Sequence, residues 1–125
     1  MVKGIGVDII EIDRIKSSIE DLGDHFLQKI FTAREIAYCS AKATAVQHFA
    51  ARFAAKEALS KAFSTGWTGE FRWKDVEVTN EASGQPRIEL HGKLQEALAQ
   101  CSVLVSLSHS ASHVVAMVVI EESAE

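Results

Sequence analysis

The chain predicts a single α+β domain, residues 1–125, with a mainly antiparallel sheet and one long central helix. Three observations carry this. A β-branched run opens the sequence, an alanine-rich helical stretch fills its middle, and two short strand pairs occupy the C-terminal half. At 125 residues and 47% apolar content the chain buries one core and has no room for separate cofactor and substrate domains. A cleft cut into so small a core removes much of what stabilises it, so size alone predicts a homo-oligomer that completes its clefts between subunits.

Val2 to Ile10 reads as the first strand, and Ile12, Ile15, Ile19 and Leu22 then fall at helical spacing up to a C-capping Gly23. Thr32 and Glu35 have the spacing of a capping box, which starts a short helix running toward Tyr38. The long helix spans Ala45 to Phe63 and ends before Gly66. Val76 and Val78 alternate with polar residues as a strand. Ser83-Gly84-Gln85-Pro86 turns the chain into a second strand, Arg87 to Leu90. Gly92 to Gln100 reads as an amphipathic helix, and Val103 to Ser108 and Val114 to Glu121 as a closing strand pair joined near His109 to His113. Gly4-Ile5-Gly6 resembles part of a dinucleotide loop, but the third glycine and the strand-turn-helix context are missing, so that reading is rejected.

Composition excludes several functions. Thirteen basic against 17 acidic residues give a net charge of −4, the wrong sign for nucleic acid. Asp8 interrupts the N-terminal apolar run too early for a signal-peptide core, and no later run approaches about 18 residues, so the sequence predicts a cytoplasmic protein with no membrane segment. Cys39 and Cys101 lack metal or redox spacing and read as reduced thiols.

The chemistry concentrates on two carboxylates. At about 100° per residue Val46, Phe49, Ala50, Phe53 and Glu57 share one stripe of the long helix, which aims Glu57 into apolar surface. A carboxylate there needs a cation, and Lys61 one turn on or a metal ion are the candidates; an ordinary surface pair is the bland reading. Asp8 lies among Val7, Ile9 and Ile10, where aspartate is disfavoured unless it marks an edge, a helix cap or a site. Two hard oxygen donors from separate elements suit a Mg²⁺ that keeps several waters and is completed by substrate phosphates. Arg52, Lys56 and Lys61 around Glu57 form a basic cluster able to hold a polyanion, or a solvated helix face. Ser108-His109-Ser110 offers hydroxyls and an imidazole to a phosphate or ring, or is a plain polar turn. His109 and His113 do not sit on a helix, which argues against zinc ligation.

Four fragments in register resemble bacterial holo-acyl-carrier-protein synthases, which are 4′-phosphopantetheinyl transferases. They are Gly6-Val7-Asp8-Ile9-Ile10-Glu11-Ile12-Asp13-Arg14-Ile15, Arg52-Phe53-Ala54-Ala55-Lys56-Glu57-Ala58 with Lys61-Ala62, Gly84-Gln85-Pro86, and Ser106-Leu107-Ser108-His109-Ser110 with Ala116-Met117-Val118-Val119. The resemblance implies transfer of 4′-phosphopantetheine from coenzyme A to a serine of apo acyl carrier protein, for fatty acid biosynthesis. It also implies a homotrimer with active sites at subunit interfaces and Mg²⁺ held by Asp8 and Glu57. Glu57 and Lys61 are then the catalytic candidates. Arg52, Lys56, Lys61, Gly66, Ser108, His109 and Ser110 are the coenzyme A-binding candidates, and Arg14 docks the acidic carrier. Two other readings use the same residues: a Mg²⁺-dependent pyrophosphohydrolase acting on coenzyme A or another nucleotide, and a non-catalytic carrier-protein or nucleotide-binding module.

Overall fold

The computed structural model describes residues 1–63 and 71–123. The elements run β1 (Val2–Glu11), α1 (Ile12–Leu22), α2 (Asp24–Ile30), α3 (Ala33–Ser40), α4 (Ala45–Ala62), a 3₁₀ turn (Trp73–Asp75), β2 (Val76–Asn80), β3 (Pro86–Leu90), α5 (Gly92–Ala97), β4 (Cys101–His109) and β5 (His113–Glu122). The α+β class and the antiparallel pairing agree with the sequence, but the strands form two sheets: a three-stranded sheet ordered β1-β5-β4 and a separate β2-β3 hairpin.

Most local signals produce the structure they predict. Thr32 caps α3 with a full capping box, its hydroxyl accepting the Glu35 N–H while the Glu35 carboxylate accepts the Thr32 N–H. Gly23, at φ +56°, ends α1 with its N–H on the Ile19 carbonyl. Its own carbonyl accepts the first N–H groups of α2, a helix the sequence reading leaves out. Seven residues are too few for apolar periodicity to show, and the helix is carried by burial of Ile30 and the packing of Phe26 and Leu27 on the core. Helix α5 stops at Ala97 rather than Gln100, because the chain turns at Leu98, whose carbonyl takes the Cys101 N–H that opens β4.

The core lies between α4 and the inner face of the three-stranded sheet. Alternation places Gly4, Gly6, Asp8 and Ile10 of β1 on that face, beside the buried Val114, Ala116, Val118 and Ile120 of β5. Helix α4 offers Ala50, Ala54, Ala55 and Ala58 together with Phe49 and Leu59, and small side chains there bring helix and sheet together. At the two glycines helix backbone meets strand backbone directly. A Cβ on Gly6 would overlap the Ala58 carbonyl oxygen and stand 2.7 Å from the Ala62 nitrogen, and one on Gly4 would overlap the Ala62 carbonyl oxygen. Gly4-Ile5-Gly6 is therefore a packing device.

The outer face of the same sheet is apolar and bare. Ile5 is 60% exposed, Val7 53%, Ile9 63%, Leu104 53% and Met117 46%. Register aligns Ile5 with Val119 and Leu104, Val7 with Met117 and Ser106, and Ile9 with Val115 and Ser108.

Because the obstacle is helix backbone rather than a flexible side chain, Gly6→Ala is expected to lower the unfolding free energy by about 3 kcal/mol or more in urea titration. Gly23→Ala meets no neighbouring atom; it strains only its own backbone, at φ +56° and ψ −136°, and should cost about 1–3 kcal/mol.

Candidate active site

Two residues beyond Gly6 on the same face of β1, Asp8 reaches the C-terminal half of α4. The Lys61 ammonium donates to Asp8 Oδ1 at 2.8 Å and to the Val7 carbonyl at 3.2 Å, which holds the carboxylate in place. The Asp8 bond, then the Asp8 charge, raise the Lys61 pKa. Asp8 Oδ2 is buried and meets no hydrogen-bonding group among the described residues. Glu57, one turn before Lys61, is half-buried at the margin of the helix rather than centred in its apolar face. Burial first, then the Asp8 charge, raise its carboxyl above the usual carboxylate range, against the pull of Lys61 and of Arg14 on α1. The structure thus gathers Asp8, Glu57, Lys61 and Arg14 into one electrostatic group.

That group fits a divalent cation. A buried carboxylate oxygen without a partner, and a second carboxylate whose ionised form is opposed by burial and by its neighbour's charge, would both be relieved by a hard cation between them. No cluster of three or more His, Cys, Asp or Glu that could hold a metal occurs among the described residues. A cation here would have two protein carboxylates and would draw its remaining oxygens from water or substrate, the habit of Mg²⁺.

Lys56 requires a correction. Its side chain has no exposed surface and its ammonium donates inward, to Glu35 Oε1 at 2.8 Å and to the carbonyls of Val76 at 2.6 Å, Ile30 at 3.0 Å and Trp73 at 3.0 Å. An ammonium has three N–H groups, so four internal acceptors leave nothing for a phosphate. The buried charges of α4 are therefore Lys56 and Arg52, not Glu57. The apolar stripe missed them because α4 is covered on more than one side.

Arg52 stands apart from the carboxylates. It is 3% exposed, stacks on the Tyr38 ring at 4.4 Å and donates through Nη2 to Asn80 Oδ1 at 2.6 Å, while its buried Nε meets no acceptor among the described residues. Lys42 Nζ lies 4.6 Å from the same ring, and His48 meets its edge. Burial first, then the charges of Arg52, Lys42 and His109, push the His48 pKa down. Arg34, Tyr38, Arg52, Thr79 and Asn80 line an adjoining cleft of about 290 Å³. Tyr38, Lys42 and His48 escaped the sequence reading. The only signal for them was a tyrosine and a lysine four residues apart across a helix end.

Ser108, His109 and Ser110 end β4 and begin its turn, where the Ser110 hydroxyl accepts the N–H groups of Ser112 and His113. With Ile9, His113 and Val115 they line a second cleft, of about 370 Å³. Ser108 is level with Ile9 through Val115, on the outer face, whereas Asp8 points inward. One chain alone therefore does not bring the serines to the carboxylates. Gly66 lies outside the described residues.

Sequence and fold comparisons identify the family. The chain belongs to the 4′-phosphopantetheinyl transferase superfamily, whose sequence model matches residues 4–118. It is 46% identical over 125 residues to the holo-[acyl-carrier-protein] synthase of Koribacter versatilis, covering 98% of this chain and 100% of the relative. The fold matches the crystal structure of the holo-[acyl-carrier-protein] synthase from Neisseria meningitidis with a TM-score of 0.87 at 32% identity, over 98% of this chain and 100% of the other. It also matches the Bacillus anthracis enzyme in complex with CoA (3′,5′-ADP), with a TM-score of 0.81 at 36% identity, over 98% and 99%.

The raised Glu57 pKa has a sign that can be tested. The ionised carboxylate costs the metal-free fold, a cost that is absent at low pH and sets in as pH rises through the raised folded value. Glu57→Gln is therefore expected to raise the thermal midpoint of metal-free protein at about pH 8 and to leave it unraised at about pH 4. Saturating Mg²⁺ should raise the midpoint of the wild type but not of Glu57→Gln or Asp8→Asn, as read by differential scanning fluorimetry.

Proposed function

We propose that this chain transfers the 4′-phosphopantetheine group of coenzyme A to a serine hydroxyl of apo acyl carrier protein, releasing adenosine 3′,5′-bisphosphate, in the fatty acid biosynthesis of the cytoplasm. The observation that carries the reading is the Asp8–Glu57–Lys61 group with its orphaned Asp8 oxygen, set in a chain whose relatives are holo-[acyl-carrier-protein] synthases over nearly its full length. Asp8 and Glu57 would hold Mg²⁺, which supplies charge neutralisation to the pyrophosphate.

The carrier serine attacks the β-phosphorus, and the bond to the bridging oxygen on the nucleotide side breaks, so negative charge grows on the bridging and equatorial oxygens. Lys61 stays cationic through its bond to Asp8 and stabilises that charge. Glu57, beside Asp8 and Lys61, is the carboxylate placed to accept the serine proton, directly or through a water. At the other end of the nucleotide, Arg52 and Lys42 on the Tyr38 ring form a cationic group suited to a phosphate monoester, with His48 and His109 nearby. Arg14, near Glu57 and exposed on α1, is placed to meet carboxylates flanking the target serine.

The bare apolar sheet face supports a homotrimer. A row of five exposed aliphatic side chains on one face of a short antiparallel sheet is an interaction surface, and packing it against neighbouring copies would carry Ser108 and Ser110 toward another subunit's carboxylates. Active sites would then form at subunit boundaries.

Mass spectrometry of apo acyl carrier protein incubated with coenzyme A and Mg²⁺ is expected to show a gain of about 340 Da, the phosphopantetheinyl mass. The gain should be abolished by EDTA and reduced at least about a hundredfold in rate by Glu57→Gln. Cleavage of coenzyme A without transfer would identify a pyrophosphohydrolase, and intact coenzyme A a binding module. Met117→Lys, at the centre of the bare face, should shift the protein from trimer to monomer in light scattering and remove activity while leaving the monomer folded.

A further inference from the structure

The buried Glu35–Lys56 pair lies where a strand would otherwise be. Within β2, Val76 and Val78 turn their polar groups away from β3, toward the free edge of the hairpin. Those groups meet side chains: Lys56 donates to the Val76 carbonyl at 2.6 Å and Glu35 Oε2 accepts the Val78 N–H at 2.9 Å. Both valines are essentially unexposed, so no water replaces these bonds. Glu35 Oε1 at the same time accepts the Thr32 N–H of the α3 capping box, and Lys56 donates to the Ile30 carbonyl at the end of α2. One ion pair thereby binds the hairpin edge to three helices.

A second bond joins the same two elements one level further along. Asn80, two residues past Val78, accepts the Nη2 proton of Arg52, one helical turn before Lys56. Arg52 and Asn80 both line the cationic cleft. A shift of the hairpin along α4 would move Asn80 off Arg52 and reshape that cleft.

We propose that Glu35 and Lys56 are positioning residues for nucleotide binding: their pair stands in for a neighbouring strand, sets the β2-β3 hairpin against α4, and so fixes Arg52 and Asn80 in the cleft that receives the phosphorylated nucleotide. This rests on the coenzyme A reading above. It gives Lys56 a function in that site without contact with the ligand, and it brings in Glu35, a carboxylate that no anion would choose as a neighbour.

The test is a double-mutant cycle of Glu35→Gln, Lys56→Met and the two together, at a temperature where circular dichroism shows each folded. Calorimetric titration with 3′,5′-ADP and steady-state transfer assays supply the readouts. The double variant, which leaves no unpaired buried charge, keeps the cycle informative if a single variant unfolds, because wild type and double variant then still compare directly. The expected result is a rise of about fivefold or more in the nucleotide Kd and the KM for coenzyme A. The kcat and the Mg²⁺ half-saturation should stay within about twofold, and the double variant should be no weaker than the worse single one. Unchanged Kd in folded variants would reduce the pair to a stabilising contact and overturn the proposal. Losses confined to Lys56→Met, or multiplying with Glu35→Gln, would make Lys56 a direct ligand and overturn it too. Wild-type protein that binds 3′,5′-ADP but transfers nothing would sink the proposed reaction while the Kd comparison still decides the pair's role. Wild type without nucleotide affinity would sink both.

Discussion

The architecture depends on how closely α4 lies on β1. Backbone meets backbone at Gly6 and Ala58 and at Gly4 and Ala62, and no side chain at either glycine is compatible with that contact. Asp8 is the next residue on that face of β1, so the register that seats the glycines also brings its carboxylate to Lys61 and Glu57. The site thus adjoins a contact of helix backbone on strand backbone. Its carboxylates come from a strand and a helix with little freedom to separate, which is what an ion held by only two side chains requires.

The sheet carries its two faces to opposite ends. Along β5, Val114, Ala116, Val118 and Ile120 close the core, while Val115, Met117 and Val119 face outward beside Ile5, Val7 and Ile9. A strand apolar on both faces is the pattern of a sheet covered on both sides. Here the chain supplies α4 for one side and, among the described residues, nothing for the other. The separation of Ser108 from Asp8 has the same origin, since residues one register step apart on paired strands point to opposite faces.

Much of this was legible in the sequence because it rests on local rules. The Thr32 and Glu35 spacing, Gly23 as a terminator, the turn before Pro86 and the alternation in β2 each act within a few residues. Asp8 announced itself by sitting in a strand where aspartate is unfavourable. What stayed hidden depends on distant partners. Lys56 and Glu57 are adjacent and both charged, and only the positions of Glu35, Ile30, Trp73 and Val76 decide which is buried. The Gly4-Ile5-Gly6 signal was visible, but its cause is a helix more than fifty residues away. The seven-residue α2 is too short to generate a period, and the Tyr38, Lys42, His48 and Arg52 cluster exists only once α3 and α4 have packed.

The cations of this acidic chain are divided by how fully they are already satisfied, and that division separates structure from chemistry. Lys56 has every proton engaged and no exposure, so it can act only on the fold. Lys61 shares its charge with Asp8 yet keeps 55% of its side chain exposed, which leaves it able to serve an incoming anion. Arg52 is the intermediate case: it is as buried as a structural residue, but it is satisfied on one side only, by Asn80 and the Tyr38 ring, with Nε left without an acceptor among the described residues. A guanidinium desolvated and only partly paired is costly to the protein, and an anion placed in the adjoining cleft would offset that cost.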